Sequence, residues 1–141
     1  MIMNSNHELE PTTQNVAPWA EIDFTQHSLP DITWREFLLW IFRSRRRVRV
    51  TGPSMRPLLE PNDEVLVDIK AYRQNKPKVG DIVVVRHPHD PNLEMIKRVT
   101  EVFAHNRYFL KGDNPAFSTD SRSFGAVELN HLLGRVTCRF A

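Results

Sequence analysis

Downstream of residue 47 no stretch repeats its apolar residues at helical spacing for the length of a helix, so the body of this chain has to be built from strands. Val48-Arg49-Val50-Thr51 alternates, and Glu64 to Ile69 follows a Pro61-Asn62-Asp63 turn. Asp81 to Arg86 is a continuous apolar run and predicts a central strand. Leu93 to Phe103, Arg107 to Lys111 and Leu132 to Phe140 complete the set. The expected fold is mainly β, a coiled antiparallel sheet or small barrel over 48–141, preceded by one helix.

Ahead of that body, residues 1–30 are rich in Asn, Thr, Gln, Glu and Pro and read as a mobile arm, with Trp19 and Phe24 as its candidate anchors. Residues 31–47 read as a short helix with a basic end. Trp34 to Arg43 supplies the apolar turns, and Thr33 with Glu36 forms a capping-box pattern. The arginines that follow, Arg43 to Arg49, admit contact with lipid phosphates through Trp34–Arg49. They lack the interleaved aromatics and the recognition element that a nucleic-acid interface requires, so no nucleic-acid partner is expected.

The 141 residues fit one domain, and with 40% hydrophobic and 26% charged residues they can build a core. Cys138 is the only cysteine, so no intrachain disulfide can form, and a buried structural thiol is expected. No apolar run reaches the ~20 residues of a membrane span. The N-terminus lacks a basic leader followed by an apolar stretch. These points favour a cytoplasmic location, with peripheral membrane attachment as the alternative. His87, His89 and His105 read as loop histidines, and no ligand spacing predicts a metal or other cofactor.

Two residues carry candidate chemistry. Ser54 lies in Gly52-Pro53-Ser54-Met55-Arg56-Pro57, where the prolines stiffen the backbone around a hydroxyl. Lys97 lies in Leu93-Glu94-Met95-Ile96-Lys97-Arg98-Val99. Period two places Lys97 in an apolar row with Leu93, Met95 and Val99, and turns Arg98 and Glu94 to the other side. A serine needs a base to become a nucleophile, and a lysine serves only if burial drives its amine neutral. Taken singly, a turn serine is ordinarily structural and a strand lysine ordinarily snorkels to solvent. In the stretch Gly112 to Gly125, Asp120 and Arg122 read as an ion pair that shapes the loop, with Asp113 in the same segment.

Together these stretches resemble the boxes of the signal peptidase I family, the Ser/Lys endopeptidases. Gly52 to Leu59 resembles the nucleophile box, and Ile96-Lys97-Arg98-Val99, preceded by Gly80 to Val84, the base box. Gly112-Asp113-Asn114 through Ser118-Thr119-Asp120-Ser121-Arg122 to Gly125 resembles the last box. The resemblance implies a serine endopeptidase in which Ser54 attacks the scissile carbonyl and Lys97 moves its proton. It further implies that Ser118 orients the Lys97 amine and that the Ser54 N–H donates to the oxyanion.

Gly52 stands where many bacterial members carry a serine as second oxyanion donor, and Pro53 has no N–H, so that donor is unassigned. Mitochondrial inner-membrane members share the glycine. The short Val99–Gly112 connection leaves no room for the family's extra domain. A compact member without a span looks most like the maturation proteases of nickel-type superoxide dismutase. The implied partner is then a precursor protein bound as an extended peptide and relieved of an N-terminal extension. The alternatives are a membrane-associated signal peptidase and a non-catalytic β-module that binds an acidic partner.

Overall fold

The computed structural model describes residues 29–41 and 44–140. Trp19, Phe24 and most of the proposed arm lie outside the described residues, as do Phe42 and Arg43. Seven strands form one open antiparallel sheet: β1 (Arg45–Arg49), β2 (Glu64–Asp68), β3 (Ile82–His87), β4 (Asp90–Phe103), β5 (Arg107–Lys111), β6 (Val127–Glu128) and β7 (Leu132–Arg139). Their spatial order is β1-β2-β7-β3-β4-β5-β6. β3 is therefore the middle strand, which explains its unbroken apolar run. Ile82 and Val84 pack on one face with Val50, Met55, Leu59, Val65, Val67 and Val136. Val83 and Val85 pack on the other with Val99, Tyr108, Leu110, Val127 and Leu132.

The sheet is mainly β as the alternation required, and it is open: β1 and β6 form its two ends. β4 and β5 are joined directly by a hairpin in which His105 and Asn106 both take positive φ, 61° and 55°. That geometry matches the twist of the flanking strands. The two-residue β6 was not legible beforehand, because a pair of residues carries no period.

The helix α1 (Trp34–Ile41) is shorter at its basic end than the 31–47 expected. Arg45 to Arg47, expected at the helix end, begin strand β1 instead, because β2 offers carboxylates in register: Arg45 pairs with Asp68 and Arg49 with Glu64 along the ladder. Arg45 bridges Asp68 at 3.1 Å and Glu36 at 3.0 Å, and Arg47 and Arg49 share Glu64. The capping box forms by half. Glu36 N–H donates to Thr33 Oγ1, but the Glu36 carboxylate is drawn to Arg45 and Thr137 Oγ1 instead of reaching back. Cys138 is buried in β7.

One buried ion pair fixes the loop that follows β5. Arg98, on the face of β4 opposite Lys97, is 2% exposed and donates through Nε and Nη2 to Asp113 Oδ1 and Oδ2 at 2.8 and 2.7 Å. Removing one partner of such a pair strands the other's charge in low dielectric. Asp113→Ala is expected to lower stability by about 3 kcal/mol, read as a drop in the urea midpoint. The same change at Glu60, paired with Arg56 on the surface, should cost under about 1 kcal/mol.

Candidate active site

Ser54 sits in the irregular turn after β1, anchored from behind by Met55 and Leu59, which are fully buried. Lys97 projects from β4 opposite Val83 in the ladder, so it emerges on the face of Val83, Met95 and Val99 as its alternation required. The side chain is 3% exposed. Its Nζ lies 3.1 Å from Ser54 Oγ across 43 residues of sequence. Burial pushes the Lys97 amine below its usual range. Asp120 opposes that push and Arg122 reinforces it.

The third stretch closes around this pair. Asn114 N–H donates to Ser54 O at 2.8 Å, and Asn114 Nδ2 donates to Pro53 O at 3.1 Å, so one residue holds the nucleophile turn at two points. Gly112 lies between the two serines. A methyl group there would stand 2.2 Å from Ser118 Oγ and 2.7 Å from Ser54 O, closer than any side chain allows. Glycine at 112 is thus a condition of the approach, not a turn requirement. Asn114 and Gly112 were quoted in the sequence motif without a role, since nothing local to either shows what it touches.

Asp120 has no exposed surface and sits at the centre of the loop. Its carboxylate accepts from Arg122 Nε and Nη2, from Gly112 N and Arg122 N, and from Ser118 Oγ. Burial alone would push this carboxyl up. The hydrogen bonds from Arg122, the Gly112 and Arg122 amides and Ser118 outweigh it and hold the group well below the ordinary carboxylate range. Its ion pair with Arg122 is the one the sequence suggested. The Ser118 hydroxyl, by contrast, sends its proton to Asp120 at 2.9 Å, and among the described residues no hydrogen bond links it to the Lys97 amine.

A cleft of about 200 Å³ opens beside Ser54 and Lys97, lined by β1 and its following turn on one side and by Leu93 to Lys97 of β4 on the other. Val48, Val50, Met55, Val84 and Ile96 make it apolar. Among the described residues no acceptor takes the Ser54 N–H, and no cluster of His, Cys, Asp and Glu has the arrangement of a metal site. A hydroxyl against a desolvated amine, at the end of an apolar cleft, is the arrangement that general-base activation of a nucleophile requires.

The signal peptidase, peptidase S26 family matches residues 33–102 and 99–141. The chain belongs to that family. It is 36% identical over 110 residues to the mitochondrial ATP-independent inner membrane protease subunit 1b of Arabidopsis thaliana, covering 62% of this chain and 65% of that protein. Mouse mitochondrial inner membrane protease subunit 1 is 31% identical over 108 residues, 63% of this chain and 65% of the relative. Signal peptidase I of Pseudomonas fluorescens is 32% identical over 100 residues, 61% of this chain and 32% of the relative. The matched stretch thus spans less than two thirds of each of these relatives. Proteolytic processing of precursors is the activity class of the family.

The buried amine has a signature in stability. The folded-state pKa of Lys97 lies below its unfolded value, so between the two the unfolded chain binds the extra proton and stability rises with pH. Lys97→Met is therefore expected to unfold at higher urea than the wild type at neutral pH. The gap should close as pH climbs toward the ordinary lysine value of ~10.4, in a urea series run at several pH values.

Proposed function

We propose that this chain is a serine endopeptidase with a Ser54–Lys97 dyad that trims a segment from a precursor protein. The observation that carries the reading is the 3.1 Å contact between Ser54 Oγ and a buried Lys97 amine that desolvation holds toward its neutral form. The neutral amine takes the Ser54 proton as Oγ attacks the scissile carbonyl. The unclaimed Ser54 N–H donates to the developing oxyanion. The Lys97 ammonium then delivers its proton to the leaving amine, and water, activated by the same lysine, releases the acyl-enzyme. Asp120 favours the ammonium, but burial outweighs it and the Arg122 pair offsets part of it. With its own proton on Asp120, Ser118 keeps lone pairs free to receive an N–H of Lys97 as substrate closes over the site. Asp113 and Asn114 hold the turn and the loop together.

The substrate lies extended in the apolar cleft, adding to the free edge of β4. Its identity is a separate matter. A nickel superoxide dismutase precursor fits a compact member of the family, and the names of the relatives suggest precursors at a membrane. Incubation of the wild type with each precursor, read by intact mass, separates the two. Ser54→Ala and Lys97→Met should each abolish cleavage, by at least 10³-fold, while keeping the folded spectrum. Wild-type cleavage should fall as pH drops through the lowered Lys97 value, because the ammonium form cannot accept the serine proton. Turnover by Ser54→Ala would remove the mechanism.

Attachment at a membrane surface is favoured by one observation. Trp34, Leu38 and Ile41 of α1 are 80%, 49% and 51% exposed and stand one helical turn apart along one face. Arg45, Arg46, Arg47 and Arg49 each meet a carboxylate, Arg47 and Arg49 sharing Glu64, which lowers the charge on offer to lipid phosphates or an acidic partner. The apolar face is then what binds. No helix among the described residues is long and apolar enough to cross a bilayer. Flotation with vesicles should recover the wild type, and Trp34→Ala with Leu38→Ala should return it to the soluble fraction.

A further inference from the structure

The open sheet leaves two strand edges facing one another across the cleft. Among the described residues, β1 is bonded on one side only, to β2. The Leu93–Lys97 part of β4 is bonded to β3, while β5 joins β4 only from Arg98 onward. At the end of the cleft away from Ser54 and Lys97, an ion pair joins the two edges. Arg46 of β1 donates to Glu94 of β4, Nη2 to Oε2 at 2.7 Å and Nη1 to Oε1 at 3.3 Å. By alternation Arg46 continues the row of Val48 and Val50, and Glu94 continues that of Ile96, so the pair stands at the end of the apolar floor.

We infer that the Arg46–Glu94 pair is the end stop of the substrate groove and limits how many residues of an extended peptide seat on that side of the scissile bond. The inference rests on the peptidase reading above. Glu94 precedes Lys97 by three residues, about 10 Å of strand at roughly 3.3 Å per residue. About three substrate residues therefore fit between the nucleophile and the pair. Both side chains are part-exposed, 48% and 33%, and exposed pairs of this kind add little to stability. β1 is already held by a five-residue ladder to β2. The pair's importance is its position. A longer segment enters by separating the two side chains, at a cost of up to about fivefold in kcat/KM.

The test uses a degenerate pool of 12-residue peptides digested by the full chain, with cut positions read by mass spectrometry. For the wild type, bonds with about three or fewer residues on one side should be cut up to about fivefold faster than bonds with more. The side that matters also reports the direction of the peptide. Arg46→Ala with Glu94→Ala should flatten that preference, and the charge-swapped Arg46→Glu with Glu94→Arg should restore it. A preference that survives in the double alanine variant, or a wild type indifferent to length, overturns the end stop. Failure of the wild type to cut any peptide, with Ser54 unlabelled by a serine-reactive acylating probe, overturns the peptidase reading and the end stop with it.

Discussion

Asp120 is a carboxylate with no access to solvent, and the arrangement of the site follows from satisfying it. A buried carboxylate is tolerated only when hydrogen bonds replace its water, and this one collects them from Arg122, Gly112 and Ser118. Those partners span the whole loop after β5, so meeting the carboxylate's demand folds the loop. The folded loop puts Gly112 and Asn114 against the Ser54 turn, and that turn puts a hydroxyl on the Lys97 amine. Burial pushes the amine toward its neutral form; the same carboxylate opposes that push, and Arg122 offsets part of its effect. The geometry of the dyad thus follows from this carboxylate, while its protonation is set first by burial of the amine.

A second ion pair stabilises the other side of the same loop. Arg98 and Asp113 lie on the far face of β4 from Lys97, so two adjacent residues of one strand serve opposite purposes. Lys97 is buried without an acid of its own and is held toward neutrality. Arg98 is buried with a bidentate acid as its partner. Strand alternation alone separates a site that needs a neutral amine from an anchor that needs a guanidinium.

The basic run shows how register redirects charge. Read along the sequence, Arg45 to Arg47 looked like the end of a helix, and the run through Arg49 like a landing site for phosphates. In the sheet, Asp68 and Glu64 stand across the ladder from the ends of that run, and the run becomes an edge strand whose charges are spent internally. What stays exposed beside it is apolar: Trp34, Leu38 and Ile41 of α1. The cleft inherits its shape from the same strand, since β1 forms one wall and the free part of β4 the other.

Local pattern was enough to read most of the strands, the central place of β3, the projection of Lys97 from an apolar row and the pairing of Asp120 with Arg122. Each of these depends on neighbours within a few residues, where period and charge are visible in the string. Contacts between segments far apart in the chain were decided only by the fold. The amine reaches the hydroxyl over 43 residues, Asn114 Nδ2 holds Pro53 O over 61, and Arg46 meets Glu94 over 48. The redirection of Glu36 from its cap to Arg45 and Thr137 belongs to the same class. Sequence fixes which groups must find partners once they leave water, and only the closed path of the chain determines which partners come within reach.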